Sequence, residues 1–171
     1  MLKENVEKAL NEQINAELYS AYLYQSMAAY FEDKSLAGFA RWMDVQADEE
    51  MAHARKIYDF VNERGGRVIL DGIDKPKNEW NSNLEVFEDS LAHEEKITAM
   101  INDLVALADE EKDYATHSFL QWFVDEQVEE EDNVGEIVDK LRLAGDSAQS
   151  LFMMDDKLGA RTEFAAEGEE E

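Results

Sequence analysis

Residues 48-DEEMAHARK-56 lie in a stretch whose apolar residues recur at steps of three and four, the spacing of an amphipathic α-helix. Glu50 and His53 fall on the same line as Phe39 and Met43, so the predicted helix directs an acid and an imidazole toward the core. Ionisable groups are costly in a protein core. The stretch therefore raises the question of what stabilises a buried polar site.

Helical periodicity continues on both sides of this stretch. The predicted long helices cover residues 5–32, 35–64, 82–110 and 113–143, and a short fifth helix runs from Asp146 or Ser147 to about residue 159. Ser35 is predicted to cap the second helix, and Gly65 and Gly66 to end it. A capping-box pattern at residues 82–85 opens the third helix. The apolar triplet at residues 68–70 is the one strand-like pattern.

The lengths of the connections predict the topology. The first and third connections are only a few residues long, which makes the helices that they join antiparallel neighbours. The connection at residues 65–81 is longer and contains the only proline, Pro76. Fully extended, it reaches about 56 Å, more than the roughly 45 Å length of a 30-residue helix. We therefore predict an all-α four-helix bundle with one long crossover between helices two and three, plus the short fifth helix.

Each of the four long predicted helices carries a carboxylate near the middle of its inward face. The spacings of 33 and 36 residues occur in both halves of the chain, in Glu17, Glu50 and His53 and, 77 residues later, in Glu94, Gln127 and Glu130. This repeat indicates a diverged duplication of one helical hairpin, and it brings both sets together in the middle of the bundle.

Four converging carboxylates would repel one another and lose their hydration unless protons or cations neutralise them. Two divalent cations carry the matching charge, and this arrangement of carboxylates is typical of di-metal bundles. Oxygen ligands with one imidazole suit iron or manganese, whereas structural zinc prefers thiolates and calcium prefers a loop of oxygens. Hard carboxylates favour Fe(III) over Fe(II), so redox chemistry is the expected activity.

Composition excludes several classes of function. The formal net charge of −25 argues against a nucleic acid or an anionic membrane as partner. The absence of cysteine excludes disulfides, thiolate metal sites and cysteine nucleophiles. No signal peptide or transmembrane pattern is present, so we expect a cytoplasmic protein. Residues 1–160 are predicted to form one domain, and residues 161–171 an acidic, disordered tail.

The chain resembles the non-haem ferritins of bacteria and archaea over about residues 3–160. The stretches that carry the resemblance are 13-QINAELYSAYLY-24, 49-EEMAHARK-56, 64-RGGRV-68, 93-HEEKI-97 and 119-FLQWFVDEQVEEE-131. The resemblance implies the ferritin-like bundle fold and a homo-oligomeric cage of twenty-four subunits. It also implies that the cage takes up Fe(II), oxidises it with dioxygen or peroxide, and stores ferric mineral inside.

The resemblance also implies roles for individual residues. Three residues look like ligands of the first iron: Glu17, Glu50 and His53, of which Glu50 would bridge to the second iron. Two further residues look like ligands of the second iron: Glu94 and Glu130. Gln127 stands where related families have a glutamate, which should make the second iron easier to release. Tyr24 resembles a tyrosine beside the site. A third iron, on the side toward the cavity, is implied because Glu49, Glu126 and Glu129 resemble a third site found in the prokaryotic branch of the family.

Three other interpretations compete with this one. A rubrerythrin-like peroxide scavenger usually needs a cysteine-bound iron, which this chain cannot supply. A small DNA-protecting cage has its metal site between subunits and usually lacks a fifth helix. The repeat of site residues within this chain argues against the first feature, and the helical segment at residues 147–158 argues against the second. A non-catalytic helical scaffold, with solvated acids, would bind iron weakly and without specificity.

Overall fold

The structure, a computed structural model, describes residues 2–162. They form five helices: α1 (Glu4–Asp33), α2 (Ala37–Glu63), α3 (Asn83–Glu110), α4 (Tyr114–Ala144) and α5 (Ala148–Gly159). The predicted all-α four-helix bundle with a fifth helix is confirmed. Of the predicted tail, residues 163–171 lie outside the described residues. None of the helices in residues 2–162 is both long and apolar enough to cross a membrane.

The crossover between α2 and α3 runs along α1. Side chains of α1 hold its backbone at successive levels: Asn11 accepts from the N–H of Ile69 at 2.7 Å, and Ser26 donates to the backbone oxygen of Lys77 at 2.7 Å. Near the end of α1, the Tyr30 hydroxyl donates to the backbone oxygen of Trp80 at 3.3 Å. The crossover therefore spans the bundle, as its length predicts. The triplet at residues 68–70 forms no strand within the described part of the chain.

Apolar residues fill the bundle in two clusters, one toward each end. One cluster takes residues from the C-terminal half of α1, the N-terminal halves of α2 and α3, and the C-terminal half of α4. The other takes the opposite half of each helix. This division shows that α2 and α3 are parallel and that the short links join antiparallel helices. The predicted carboxylates lie between the two clusters.

The link from α1 to α2 differs from the prediction. Ser35 does not cap α2; it has a φ of 59° and ends α1. The N–H of Ser35 donates to Glu32 O and that of Leu36 to Phe31 O, both at 3.0 Å, the paired hydrogen bonds of a Schellman motif. The prediction was wrong because the link is so short that the left-handed residue ending α1 occupies the expected cap position.

A residue distant in sequence caps α2 instead. The Asp155 carboxylate of α5 accepts from the N–H groups of Gly38 at 2.8 Å and Phe39 at 3.1 Å. An acid at a helix N-terminus is favourable both as a hydrogen-bond acceptor and as a charge. The approach requires glycine at residue 38, because a Cβ there would lie 1.7 Å from the backbone oxygen of Asp155. Specific contacts thus fix α5 on α2.

Within residues 2–162, two residues other than glycine hold the left-handed conformation, and replacing them should stabilise the fold. Ser35 has a φ of 59° and Lys112 a φ of 55°. A side chain in this region costs about 1 kcal/mol or more, whereas glycine adopts it freely. We expect Ser35→Gly and Lys112→Gly each to raise the free energy of unfolding of the metal-free protein by about 1 kcal/mol, measured by urea denaturation.

Gly65 is the control for this prediction. It ends α2 with a φ of 71°, and a Cβ added there would meet no atom within 4 Å. Gly65→Ala should therefore lower the free energy of unfolding through backbone strain alone, without a clash. Equal stability of the Gly65→Ala variant and the wild type would show that these link residues are not strained.

Candidate metal centre

A layer of polar side chains crosses the middle of the bundle. All seven residues predicted for the di-iron site are buried in this layer: Glu17, Tyr24, Glu50, His53, Glu94, Gln127 and Glu130. Glu94 is fully buried, and the most exposed of the seven, Glu130, is only 6% accessible. Their helical spacing turns them to the inner faces of four different helices. The structure therefore brings together the residues that the sequence selects.

Glu17, Glu50 and His53 form the compact part of this layer. One ligating atom from each lies within 4.8 Å of the others, and Nδ1 of His53 is 3.4 Å from Oε2 of Glu50. Gln13, one turn before Glu17, donates to its Oε1 at 2.8 Å. The ring of Trp122 meets that of His53 edge-on, with centroids 5.4 Å apart. The triad is therefore oriented by neighbours and shielded from water.

Glu94 and Glu130 lie in the other half of the layer and are held by hydrogen-bond donors. The Tyr24 hydroxyl donates to Glu94 Oε1 and lies 2.9 Å from Ser90 Oγ. Gln127 donates from Nε2 to Glu94 Oε2 at 3.2 Å. Glu130 Oε2 accepts from Gln46 Nε2 at 2.8 Å, so hydrogen bonds hold both acids in place.

Burial changes the proton affinities of these groups. It raises the pKa of Glu17 to about 7 and that of Glu130 to about 8, and the pKa values of Glu50 and Glu94 also lie above their usual range. Repulsion between the carboxylates adds to this effect, so the four acids titrate as a set. Burial lowers the pKa of His53 to about 4. Its ring is therefore neutral at pH 7 and keeps a lone pair.

Unpartnered atoms in the layer indicate what it can bind. Within residues 2–162, no nitrogen or hydroxyl donor reaches Glu17 Oε2, Glu50 Oε1 or Gln46 Oε1, and Glu17 and Glu50 hydrogen-bond to each other when one of them is protonated. Leaving a buried acceptor unsatisfied costs about 1–3 kcal/mol. A cation between Glu17 and Glu50 would satisfy an oxygen of each and would also meet the His53 ring. Carboxylate oxygens with one imidazole fit iron or manganese, so the residues present fit such ions.

The predicted third site has a different environment. Glu49 is mostly buried and forms an ion pair with Arg161. Glu126 is half-buried and Glu129 is exposed. In the described part of the chain, Glu49, Glu126 and Glu129 do not bring their ligating atoms within 4.8 Å of one another. A third cation there stays a prediction.

Two residues of the centre escaped the sequence analysis. Gln46 lies on the inward face of α2 and donates to Glu130 Oε2 at 2.8 Å, joining α2 to α4. Its position in the stripe was visible in the sequence, but its partner on another helix was not. Arg161 gave no signal, because it lies outside the periodic helices and 112 residues from Glu49.

The comparisons with known proteins agree with this geometry. A family profile described as "Ferritin-like domain" matches residues 7–144. The chain belongs to the ferritin family. It is 46% identical over 162 residues to the bacterial non-heme ferritin of Staphylococcus saprophyticus, a match covering 95% of this chain and 97% of that relative. Its identity to the non-heme ferritin of Staphylococcus epidermidis is 47%, over 95% of this chain and 98% of the relative.

Solved structures confirm the ferritin-like fold. An engineered closed form of the Archaeoglobus fulgidus ferritin superposes with a TM-score of 0.95 at 51% identity, over 96% of this chain and all of that one. The open pore ferritin of the same archaeon gives a TM-score of 0.93 at 52% identity, over 94% and 98% of the two chains. The predicted family and fold of this ferritin are therefore correct.

The metal-free ferritin should lose stability as the pH rises from about 6 to about 8. An acid whose pKa is higher in the folded than in the unfolded state stabilises the fold while it is protonated. This stabilising contribution is fully present below a pH of about 4.5, the ordinary pKa of a glutamate. It disappears as the pH passes through about 7 for Glu17 and about 8 for Glu130. Thermal unfolding with a chelator present should therefore begin several degrees lower at pH 8 than at pH 6.

A matched pair of variants assigns this loss to the buried layer. Glu130→Gln removes one of the raised acids and should reduce the difference in unfolding temperature between the two pH values. Glu63→Gln changes an exposed acid at the end of α2 and should leave the difference unchanged. If both variants lose stability as the wild type does, surface charge rather than the layer causes the effect.

Proposed function

We propose that this chain is the subunit of an iron-storage ferritin with ferroxidase activity. It binds two Fe(II) ions within one subunit, oxidises them with dioxygen or peroxide, and delivers ferric iron to a mineral inside a hollow cage. The observation that carries this proposal is the burial of four carboxyl groups and one imidazole in a single layer. A scaffold with solvated acids would not bury them there.

The two ions differ in the ligands that we assign to them. Glu17, Glu50 and His53 hold the first Fe(II), with Glu50 bridging toward the second. Glu94 and Glu130 hold the second Fe(II), and Gln127 contributes a neutral amide where a further carboxylate could have been. The charge of +4 on two Fe(II) ions balances the four carboxylates. The absence of a second bridging carboxylate should make the second ion the easier one to release.

The reaction requires two electrons for each oxidant molecule. Two Fe(II) ions give up one electron each, and with two protons they reduce one dioxygen to hydrogen peroxide or one hydrogen peroxide to two waters. The carboxylates favour the Fe(III) products because hard anionic oxygens stabilise the higher charge. Tyr24 holds Glu94 through its hydroxyl, and we assign it the role of keeping that ligand in place while the charge changes.

Storage requires an enclosed assembly, and we propose a cage of twenty-four chains. The names of the relatives, which are non-heme ferritins, support this part of the proposal. Twenty-four chains of 19.6 kDa give a particle of about 470 kDa. Size-exclusion chromatography with light scattering should find that mass, and a stable monomer would contradict it.

Anaerobic titration tests the metal centre directly. We expect two tightly bound Fe(II) ions per subunit, followed by rapid oxidation when air is admitted. Glu50→Gln removes the proposed bridging charge and should slow the rapid phase by at least about tenfold, while the particle mass stays unchanged. Stopped-flow absorbance of the ferric product measures the rate.

Glu63→Gln provides the control, because it makes the same chemical change at an exposed position of α2. It should oxidise iron at the wild-type rate. Weak binding of Fe(II) that does not saturate, without a rapid oxidation phase, would contradict the ferroxidase proposal and favour the non-catalytic scaffold.

A further inference from the structure

One polar atom of the buried layer has no role in holding the two proposed cations. Gln46 is fully buried on α2, one turn before Glu50, and its Nε2 donates to Glu130 Oε2 at 2.8 Å. Its Oε1 has no hydrogen-bond partner within residues 2–162. Buried amide oxygens are normally paired, so an unpaired one needs a specific explanation. The Gln46 oxygen is therefore a candidate binding position for a small ligand.

The orientation of the Gln46 amide is fixed by Glu130 in the loaded centre. A carboxylate that holds a cation is deprotonated, so its oxygens only accept hydrogen bonds. Turning the amide over would place Oε1 of Gln46 against an oxygen of Glu130, and the hydrogen bond would be lost. Gln46 therefore keeps its nitrogen on Glu130, and its oxygen stays without a partner from that side.

The hydrogen-bond donors in this half of the layer are already used. The Tyr24 hydroxyl donates to Glu94 Oε1, and the Gln127 amide donates to Glu94 Oε2 at 3.2 Å. Carboxylates that hold cations have no proton to donate. We therefore expect the partner of Gln46 Oε1 in the loaded centre to be a molecule that enters from outside.

The proposed reaction supplies one molecule that fits this acceptor. Hydrogen peroxide is neutral and carries two O–H donors, whereas dioxygen carries none. An amide oxygen is a neutral acceptor, so it can receive an O–H group without adding negative charge beside the iron. Away from bulk water, such a hydrogen bond is stronger than it would be at the surface. Gln46 thus has the chemistry to distinguish the two oxidants.

We propose that Gln46 Oε1 holds an O–H group of hydrogen peroxide beside the second Fe(II), and thereby raises the affinity of the centre for peroxide but not for dioxygen. The inference rests on the proposed function, which supplies both the iron and the oxidant. The bound peroxide takes one electron from each of two Fe(II) ions, its O–O bond breaks, and two protons complete the two waters that leave. Gln46 positions the oxidant and neither gains nor loses electrons.

Other roles for Gln46 make different predictions. If the amide only holds Glu130, or if its oxygen binds only a water molecule, removing it should change oxidation by both oxidants to the same extent. If Oε1 is a direct ligand of the second cation, removing it should weaken cation binding. The dependence on each oxidant and the affinity for cations therefore separate these roles.

Gln13 is the matched control. It is buried on α1, and its Nε2 donates to Glu17 Oε1 at 2.8 Å, the same length as the hydrogen bond between Gln46 and Glu130. Its oxygen is not one of the unpartnered buried atoms within residues 2–162. Gln13→Leu and Gln46→Leu thus remove equivalent donors from a proposed ligand, and only Gln46→Leu also removes the buried free acceptor.

Stopped-flow absorbance measures oxidation after anaerobic loading with two Fe(II) per subunit. In Gln46→Leu, the half-saturating concentration of hydrogen peroxide should rise about three- to tenfold, the effect of one hydrogen bond. The half-saturating concentration of dioxygen should stay at the wild-type value. In Gln13→Leu the ratio of the two concentrations should equal the wild-type ratio. Gln46→Glu keeps an oxygen acceptor at this position and should restore the dependence on peroxide.

Calorimetric titration with Zn(II), which is redox-inert, gives a readout that does not depend on oxidation. We expect two tight cations per subunit in the wild type, in Gln13→Leu and in Gln46→Leu. Loss of one tight cation in Gln46→Leu alone would show that Oε1 is a cation ligand. If Gln46→Leu does not assemble, Gln46→Met, which matches glutamine more closely in length, makes the same tests.

The possible outcomes distinguish the inference from the proposed function. A weaker dependence confined to peroxide in Gln46→Leu supports the inference. An equal change for both oxidants, no change for peroxide, or the loss of a cation overturns the inference and leaves the proposed function intact. Absence of rapid oxidation with either oxidant in the wild type would overturn both.

Discussion

The desolvation of four carboxyl groups is the constraint on which the rest of this structure depends. The groups lie between two apolar clusters, and burial there removes them from bulk water. Protonation relieves the cost in part, as the raised pKa values of Glu17 and Glu130 show. Divalent cations relieve it more completely, because they replace both the missing charge and the missing hydrogen-bond donors. A core that is unfavourable alone thus becomes a strong binding site.

The fold supplies this layer with one carboxylate from each long helix at a common depth. Short links keep α1 antiparallel to α2 and α3 antiparallel to α4, and the crossover returns the chain so that the two hairpins face each other. The link between α1 and α2 supplies no side-chain cap, and α2 takes its cap from Asp155 on α5. The fifth helix therefore both completes α2 and brings Arg161 to the rim of the centre.

Sequence reasoning recovered what periodicity and spacing determine. Glu50 and His53 were visible because they interrupt an apolar stripe, and the repeat at 77 residues identified their counterparts on α4. Sequence reasoning failed where the outcome depends on packing between elements distant in sequence. Ser35 has the chemistry of a helix cap but lies where α1 requires a left-handed residue. The pairing of Glu49 with Arg161 depends on where α5 docks, which no local pattern records.

The duplication has diverged in a way that distinguishes the two proposed cation positions. In the first half, Glu50 and His53 complete a compact triad with Glu17. In the second half, the counterpart of Glu50 is Gln127. The Gln127 amide donates to Glu94 Oε2 instead of offering a negative charge. The proposed second cation position therefore lacks a second bridging carboxylate, although its acids are held by Tyr24 and Gln46. Under the proposed function, a more loosely held second ion beside the first would suit a centre that binds its substrate and then passes the product onward.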